Sequence, residues 1–409
     1  MMNRTIQNRD AFPWRAVGGG LVAMFLAFGV GRFAYTPLLP LMRDQAGLAL
    51  DQAGYLASLM YLGYLSGSVL VTKILARCGA VRALSCGLLI LVLGTWTMTF
   101  GNTFPFWALV MFTIGAASAA IFLAALSLVL GVFLDYGAGW LTAFLYVGIG
   151  AAIVLLGLVV PELGAESGWQ SAWRFVSVTA ATGALVCFFL LLPGQRQKRD
   201  RRAHASGREI PGARRSIHLL LIAYALHGFS YTIGGTFMVA MLAALPGVSG
   251  QAHLGWVLVG AMVIPSCVVW PLVAARVGEV RITAVLMFLL AVANLTAVFW
   301  SARLGVLIAA GTFGSTFLAI PGLVLSRLGR LAGSRKDEIA GFATIIFGVA
   351  MVLGPSFAGL VARATGSFDW ALGLASGALF LASFTCLLAE RATKIPAAAA
   401  FDVCPYSCR

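Results

Sequence analysis

A single arginine inside an apolar segment is the feature of this sequence that most suggests chemistry. Arg32 stands in the otherwise uncharged run from Val17 to Leu41. At the rise of an α-helix it lies about 22 Å from the start of that run, near the middle of a bilayer. A charged arginine at that depth costs on the order of 3 kcal/mol on insertion scales. Its guanidinium can bind a carboxylate, phosphate or sulfonate through two parallel hydrogen bonds, so we predict that Arg32 meets an anion.

Aromatic and titratable side chains recur at helical spacing around this position. Phe28, Arg32 and Tyr35 fall at i, i+4 and i+7, and Tyr224, His227 and Tyr231 share a face of the seventh apolar segment. If both faces line one cavity, the site combines a cation, an imidazole and aromatic walls that carry hydroxyls. The predicted substrate-binding residues are Arg32, Tyr35, Tyr231, His227, Tyr224, Tyr146 and Tyr61.

Acidic side chains are missing from the deep parts of the apolar segments. If the protein moves protons, His227 is the first candidate, because imidazole titrates near neutral pH. Asp135, at the end of the fourth segment, is the second. A uniporter or an exchanger needs neither residue.

Each of these assignments has a structural alternative. Arg32 can instead donate to helix carbonyls left free near Pro37 or Pro40. His227 can be a hydrogen-bonded packing residue, and the tyrosines can be core aromatics.

The composition identifies the elements that must position these residues. The chain has 409 residues, of which 60% are hydrophobic and 10% charged, with a mean hydropathy of +0.94. Soluble proteins carry about 25% charged residues, so this is a polytopic membrane protein. No metal-ligand cluster, phosphate loop or nucleophile motif is present, and we expect neither a cofactor nor an enzyme.

Twelve apolar segments are long enough to cross a bilayer as helices. We predict an all-α fold with a six-helix bundle over 1–192, a basic linker over 193–216, a second six-helix bundle over 217–390 and a tail over 391–409. The predicted spans are 16–39, 53–75, 83–101, 105–131, 138–160, 172–192, 217–241, 253–275, 281–300, 304–328, 338–361 and 369–389.

The basic residues are distributed unequally between the two sides of this arrangement. Of the 28 lysines and arginines, 23 fall on the side of the termini and the linker, and four fall on the other side. The positive-inside rule therefore places both termini and the linker in the cytoplasm. The same distribution explains the net charge of +14 without nucleic-acid binding.

The two halves of the chain carry an internal repeat. The segment Ala76 to Arg82 reads ARCGAVR, and the segment Ala275 to Arg281 reads ARVGEVR, with a constant offset of 199. The same offset places Tyr231 opposite Arg32. Six plus six helices with a parallel repeat are typical of transporters whose halves are related by an axis along the membrane normal.

These features resemble the major facilitator superfamily. The two repeat segments are similar to its loop motif after the second span, although Ala76 and Ala275 stand where the motif has aspartate, and Met111 stands where many proton-coupled members have arginine. The segment GRFAYTP, which begins at Gly31, resembles the YbfB/YjiJ-type family. The resemblance implies conformational loops at Arg77, Gly79, Arg82, Arg276, Gly278 and Arg281, and gating helices that contain Gly148, Gly150, Gly348, Gly354 and Pro355.

Together the residues and the resemblance predict a monomeric carrier in the bacterial inner membrane. It would move a small organic anion by alternating access, with proton coupling as an option. An efflux carrier for amphipathic drugs or metabolites is the alternative within transport, and a transporter-like sensor or scaffold is the alternative outside it.

Overall fold

Helices make up all the regular structure in the described part of the chain. The computed structural model describes residues 13–136, 141–191, 212–244, 251–300 and 302–393. In these ranges eleven segments are long and apolar enough to cross a membrane. One of them, Arg303–Thr365, has 63 residues and is far too long for a single crossing. It breaks at Gly333–Arg335 into two crossings, which gives the twelve predicted.

The first half contains six crossing helices. Helix α1 has two α-helical parts joined by a π-helix, and α5 begins with a separate short turn. The bounds are α1 Trp14–Ala46, α2 Leu50–Cys78, α3 Ala80–Thr97, α4 Phe104–Asp135, α5 Leu141–Ser167 and α6 Trp169–Leu191.

The second half repeats this order. Helix α7 already begins at Ala213, so the last four residues of the predicted linker are helical, while 193–211 lie outside the described residues. The bounds are α7 Ala213–Ala243, α8 Ala252–Val277, α9 Glu279–Phe299, α10 Arg303–Thr316 with Ala319–Ala332, α11 Lys336–Thr365 and α12 Asp369–Ala392.

The outward surface of the bundle is apolar. Large side chains such as Phe299, Leu109 and Trp370 are 82%, 68% and 68% exposed. A surface of this kind is stable against lipid and unstable in water. The polar backbone is satisfied inside the helices, as a bilayer requires.

Glycines bring helices of the two halves into close contact. A Cβ atom on Gly150 of α5 would lie 2.7 Å from the carbonyl oxygen of Gly260 on α8, and one on Gly359 of α11 would lie 3.2 Å from the Cα of Gly54 on α2. Small residues permit this approach of membrane helices. Gly148, Gly348 and Gly354 also face crowded neighbours, and Pro355 lies inside α11.

Equivalent positions of the repeat meet directly. The hydroxyl of Thr36 on α1 donates to the carbonyl of Gly235 on α7 at 2.5 Å, and these residues are 199 apart, the offset of the repeat. Two symmetry-related residues touch only near the axis that relates them. The contact therefore marks where the pseudo-two-fold axis passes between α1 and α7.

The repeat segments form matching turns at one end of the molecule, which we call the basic end. Gly79 and Gly278 have φ of 84° and 112°, a conformation that favours glycine. Arg77, Arg82 and Arg276 are exposed there, and Arg281 pairs with Glu390 at 2.7 Å. The opposite end carries the α1–α2 and α11–α12 turns.

Candidate functional site

A central cavity of about 980 Å³ lies between the two halves. Its lining runs from Arg32 and Tyr231 to Gly278, Ser326 and Arg330 at the basic end. Gly278, Ser326 and Arg330 are exposed, so the cavity opens to the surface at the basic end. A volume of this order accommodates a small organic molecule.

The opposite end is closed by contacts between the halves. Ser58 on α2 donates to the carbonyl of Val352 on α11 at 2.5 Å, and Ser356 donates to Ser58 at 2.6 Å. Nearer the surface, Arg363 pairs with the buried Asp51 at 2.5 Å. With Thr36, these residues form what we call the opposite-end seal.

Arg32 lies in the cavity wall against aromatic rings. Its Cζ is 3.5 Å from the ring centroid of Tyr64, 4.7 Å from that of Phe28 and 5.6 Å from that of Tyr61. The residue is only 5% exposed, and its Nε and Nη2 make no hydrogen bond. Rings stabilise a buried cation by about 0.5–2 kcal/mol each, which offsets part of its desolvation. The two free nitrogens are adjacent along one edge of the guanidinium.

A π-helix carries this side chain. The residues Phe25–Phe33 have the wider turns of that helix, and the amide of Ala34 donates to Gly29 at 2.8 Å. Short π segments are frequent at functional sites. The wider turns change which residues share a face, and this explains the position of Tyr35. Its hydroxyl donates to the carbonyl of Ala53, and the residue is not part of the cavity lining.

Near-parallel aromatic rings form the facing wall from the second half. Tyr224 and Phe347 stack at 4.1 Å with 9° between planes. Tyr231 lies 5.9 Å from Phe347 at 10° and 5.8 Å from Phe317 at 18°. All four rings line the cavity, and we call them the ring ladder.

The structure brings some of the predicted residues together and leaves others out. Arg32, Tyr146, Tyr224 and Tyr231 line the cavity. Tyr61 faces Arg32 from behind the lining.

The two candidates for proton coupling lie away from the cavity lining. His227 is fully buried behind the wall, and its ring stacks 5.2 Å from Tyr231 and 6.0 Å from Phe347. Neither of its nitrogens makes a well-aligned hydrogen bond, although the backbone of Phe317 is near. Asp135 is exposed at the end of α4, outside the lining.

Two central aromatic residues lie outside the predicted set of binding residues, although the sequence offers Tyr64, like Tyr61 and Tyr146, as a possible cavity residue. Tyr64 supplies the ring closest to Arg32, and Phe347 contacts three other aromatic rings. The spacing of Tyr61 and Tyr64 at i and i+3 was a usable signal for the first. Phe347 carries no polar group, and nothing in its local pattern separates it from a lipid-facing residue.

The remaining charges of the lining lie at the mouth. Glu279 accepts hydrogen bonds from Arg330 and from Ser326, the latter at 2.8 Å. Arg327 donates to the hydroxyl of Thr393 at 3.0 Å. Within the described residues of the lining, Arg32 is thus the one charge that lies deep in the cavity. The same residues contain no cluster of three metal-ligating side chains.

The family of this protein follows from a comparison of its sequence with models of known protein families. Residues 24–387 match the model described as "Uncharacterised MFS-type transporter YbfB". The chain belongs to this MFS-type transporter family. Membership accounts for the twelve crossing helices and for a cavity between two halves, and the proteins of this class are transporters, not enzymes.

Solved structures share the fold at low sequence identity. A crystal structure of a mutant of the nucleoside transporter NupG matches with a TM-score of 0.71 and 13% identity, over 91% of this chain and 99% of that one. A second NupG structure matches with a TM-score of 0.69 and 12% identity, over 93% and 99%. No curated protein matches the sequence. At these identities, the likeness to NupG concerns the fold alone.

Proposed function

We propose that this MFS-type transporter carries a small organic anion across the bacterial inner membrane by alternating access, with Arg32 as the residue that binds the anionic group. The observation behind this proposal is the free edge of a buried guanidinium in the cavity wall. Nε and Nη2 of Arg32 lack hydrogen-bond partners, and no other charged residue of the described lining lies deep in the cavity.

The geometry of that edge favours an anion with two adjacent oxygens. Nε–H and one Nη2–H point in parallel, and they match the two oxygens of a carboxylate or of a phosphate face. Both nitrogens are themselves covered by neighbouring side chains in this structure. A buried donor without a partner costs about 1–3 kcal/mol, and an anion that displaces the covering side chains removes this cost. The rings behind the guanidinium hold its plane in place before the substrate arrives.

The structural alternative for Arg32 has little support. If the residue served to satisfy carbonyls near Pro37 or Pro40, its nitrogens would donate to the backbone, whereas two of them have no acceptor. The efflux alternative remains a competing proposal, because the aromatic walls also suit an uncharged amphipathic molecule.

The test measures thermal stabilisation of the purified full-length protein by organic anions, cations, neutral drugs and nucleosides. A ligand that binds only the folded state raises the melting temperature. Wild type is compared with Arg32→Ala and Arg32→Lys. Lysine keeps the charge but loses the parallel pair of donors, so we expect anion affinity to fall by about tenfold or more in Arg32→Lys.

The outcomes separate the candidates. Stabilisation by an organic anion that vanishes in a folded Arg32→Ala protein supports the proposal. Stabilisation by cations or neutral amphiphiles, unchanged in Arg32→Ala, contradicts it and favours efflux. Uptake of the stabilising anion into proteoliposomes, with and without an imposed pH gradient, then tests transport and proton coupling.

A further inference from the structure

We infer that the substrate is an aromatic monocarboxylate, bound with its ring along the ring ladder and its carboxylate at the free edge of Arg32. This inference rests on the proposed function and narrows the substrate class. It depends on two walls of the cavity, one with Arg32 and one with the ring ladder, which can bind different parts of one molecule.

The deep part of the cavity offers one positive charge to a substrate. Arg32 is 5% exposed, and the other charged residues of the described lining lie at the mouth. There Glu279 and Arg330 pair with each other, whereas Arg327 donates to the hydroxyl of Thr393 and keeps a buried Nε without a partner. A second carboxylate on the substrate would lie against aromatic carbon without a counter-charge, and a buried charge of this kind is costly. The deep cavity therefore suits a single negative charge.

The rings of the ring ladder are nearly parallel to one another. Phe347 is nearly parallel to both Tyr224 and Tyr231, at 9° and 10°, and Tyr231 is nearly parallel to Phe317. Packed aromatic rings in proteins commonly meet at a tilt or edge to face as well as in parallel. Rings that stack at 4.1 Å cover each other's faces and turn their partly positive edges to the cavity. These edges favour the face of an aromatic substrate ring over a saturated ring.

The two walls of the cavity come from different halves of the molecule. The ring ladder belongs to the second half of the molecule, whereas Arg32 belongs to α1 of the first half, and both line the same cavity. One molecule with a flat ring and a carboxylate can contact both walls together. An aliphatic carboxylate would use Arg32 alone, and a neutral aromatic molecule would use the ladder alone.

The experiment ranks four matched probes on the purified full-length protein by thermal stabilisation and by equilibrium dialysis. The probes are naphthalene carboxylate, its primary amide, decalin carboxylate and naphthalene dicarboxylate. We expect naphthalene carboxylate to bind best, with decalin carboxylate weaker by about fivefold, the factor that one aromatic pair supplies. The amide and the dicarboxylate should bind still more weakly.

Substitutions at the ladder sharpen the test. Phe347→Tyr keeps the ring and should preserve the preference for the aromatic over the saturated anion, whereas Phe347→Leu should abolish it. If Phe347→Leu fails to fold, Tyr231→Leu makes the same comparison. If neither variant folds, the ranking of the four probes on wild type decides.

Two results would overturn the inference in different ways. Equal binding of decalin and naphthalene carboxylates would reject the aromatic class and leave the anion transporter intact. Tight binding of the amide with none of either carboxylate would reject both this inference and the proposed function.

Discussion

The ring of Tyr64 is the residue-scale feature that sets the position of Arg32. The guanidinium lies 3.5 Å from its centroid, and a cation–π contact of a buried arginine contributes about 1–2 kcal/mol. We expect Tyr64→Leu to lower the melting temperature and weaken anion binding. The change should affect both, because the same contact stabilises the fold and orients the donors.

Tyr64→Phe is the matched control for this prediction, since it keeps the ring and removes only the hydroxyl. Its melting temperature and anion affinity should stay close to wild type. A loss of binding in Tyr64→Phe equal to that in Tyr64→Leu would show that the hydroxyl, and not the ring, carries the effect.

The place of Arg32 in the cavity wall could be anticipated from the sequence, because charge inside an apolar segment is visible without a structure. The place of Tyr35 outside the lining could not, because a regular α-helix would put Tyr35 on the face of Arg32, and the π-helix at Phe25–Phe33 changes that register. His227 was placed on the correct helix, but spacing alone does not distinguish the lining from the layer behind it. The role of these residues in binding stays a prediction.

At the scale of helices, the crossing of α5 and α8 depends on the absence of side chains. A Cβ on Gly150 would lie 2.7 Å from both the Gly260 carbonyl oxygen and Ile264. Backbone cannot yield as a side-chain tip can, so the helices must separate. We expect Gly150→Ala to lower the melting temperature, with a cost of about 1–3 kcal/mol for an overpacked contact.

Gly377→Ala on α12 provides the comparison. No atom lies within 4 Å of a Cβ built at Gly377, and alanine is the better helix former. Its melting temperature should equal or exceed that of wild type. If both variants behaved alike, glycine would matter here for helix propensity and not for the approach of the two halves.

The pair of Asp51 and Arg363 joins α2 to α11 at the opposite end. The side chain of Asp51 is 8% exposed and that of Arg363 is 68% exposed. We expect Arg363→Gln to destabilise the protein by about 1–3 kcal/mol, because it leaves a buried carboxylate with one fewer donor. Labelling of an Ala57→Cys side chain, buried on the adjoining turn of α2, should become faster in the same variant.

Arg43→Gln is the control at the same end of the molecule. Arg43 pairs with its neighbour Asp44 at 2.7 Å, and both side chains are substantially exposed, at 31% and 60%. Exposed pairs contribute about 0–1 kcal/mol, so melting and labelling should hardly change. Equal effects of the two substitutions would contradict a specific role for Asp51 and Arg363.

The sequence could not reveal this pair. Asp51 and Arg363 are 312 residues apart, and each looks like an ordinary loop charge beside a span. Helix number, by contrast, followed from hydropathy, since each crossing is a local property of about 20 residues. Contacts between the halves depend on how two bundles pack, and no local pattern encodes them.

At the scale of the whole molecule, the cavity opens at the basic end and is sealed at the other. Cys267 lines the cavity and is 5% exposed, which offers a native probe of access. In a Cys78→Ser, Cys86→Ser background, we expect a small maleimide to label Cys267 from the basic end of oriented vesicles. A bound substrate should slow the labelling.

Cys267→Ser in the same background measures the signal from the remaining cysteines. Faster labelling from the opposite side would contradict a cavity that opens at the basic end. It would mean that the protein in membranes rests in the conformation that is open at the other end.

The opposite-end seal has a consequence for how this family can diverge. Its hydroxyl donors Thr36 and Ser58 bond to the carbonyl oxygens of Gly235 and Val352. A carbonyl is present whatever the residue, so the acceptor positions are free to drift while the donors are held. Methods that infer contacts from paired changes between homologues would therefore find no signal at either bond, although both join the two halves.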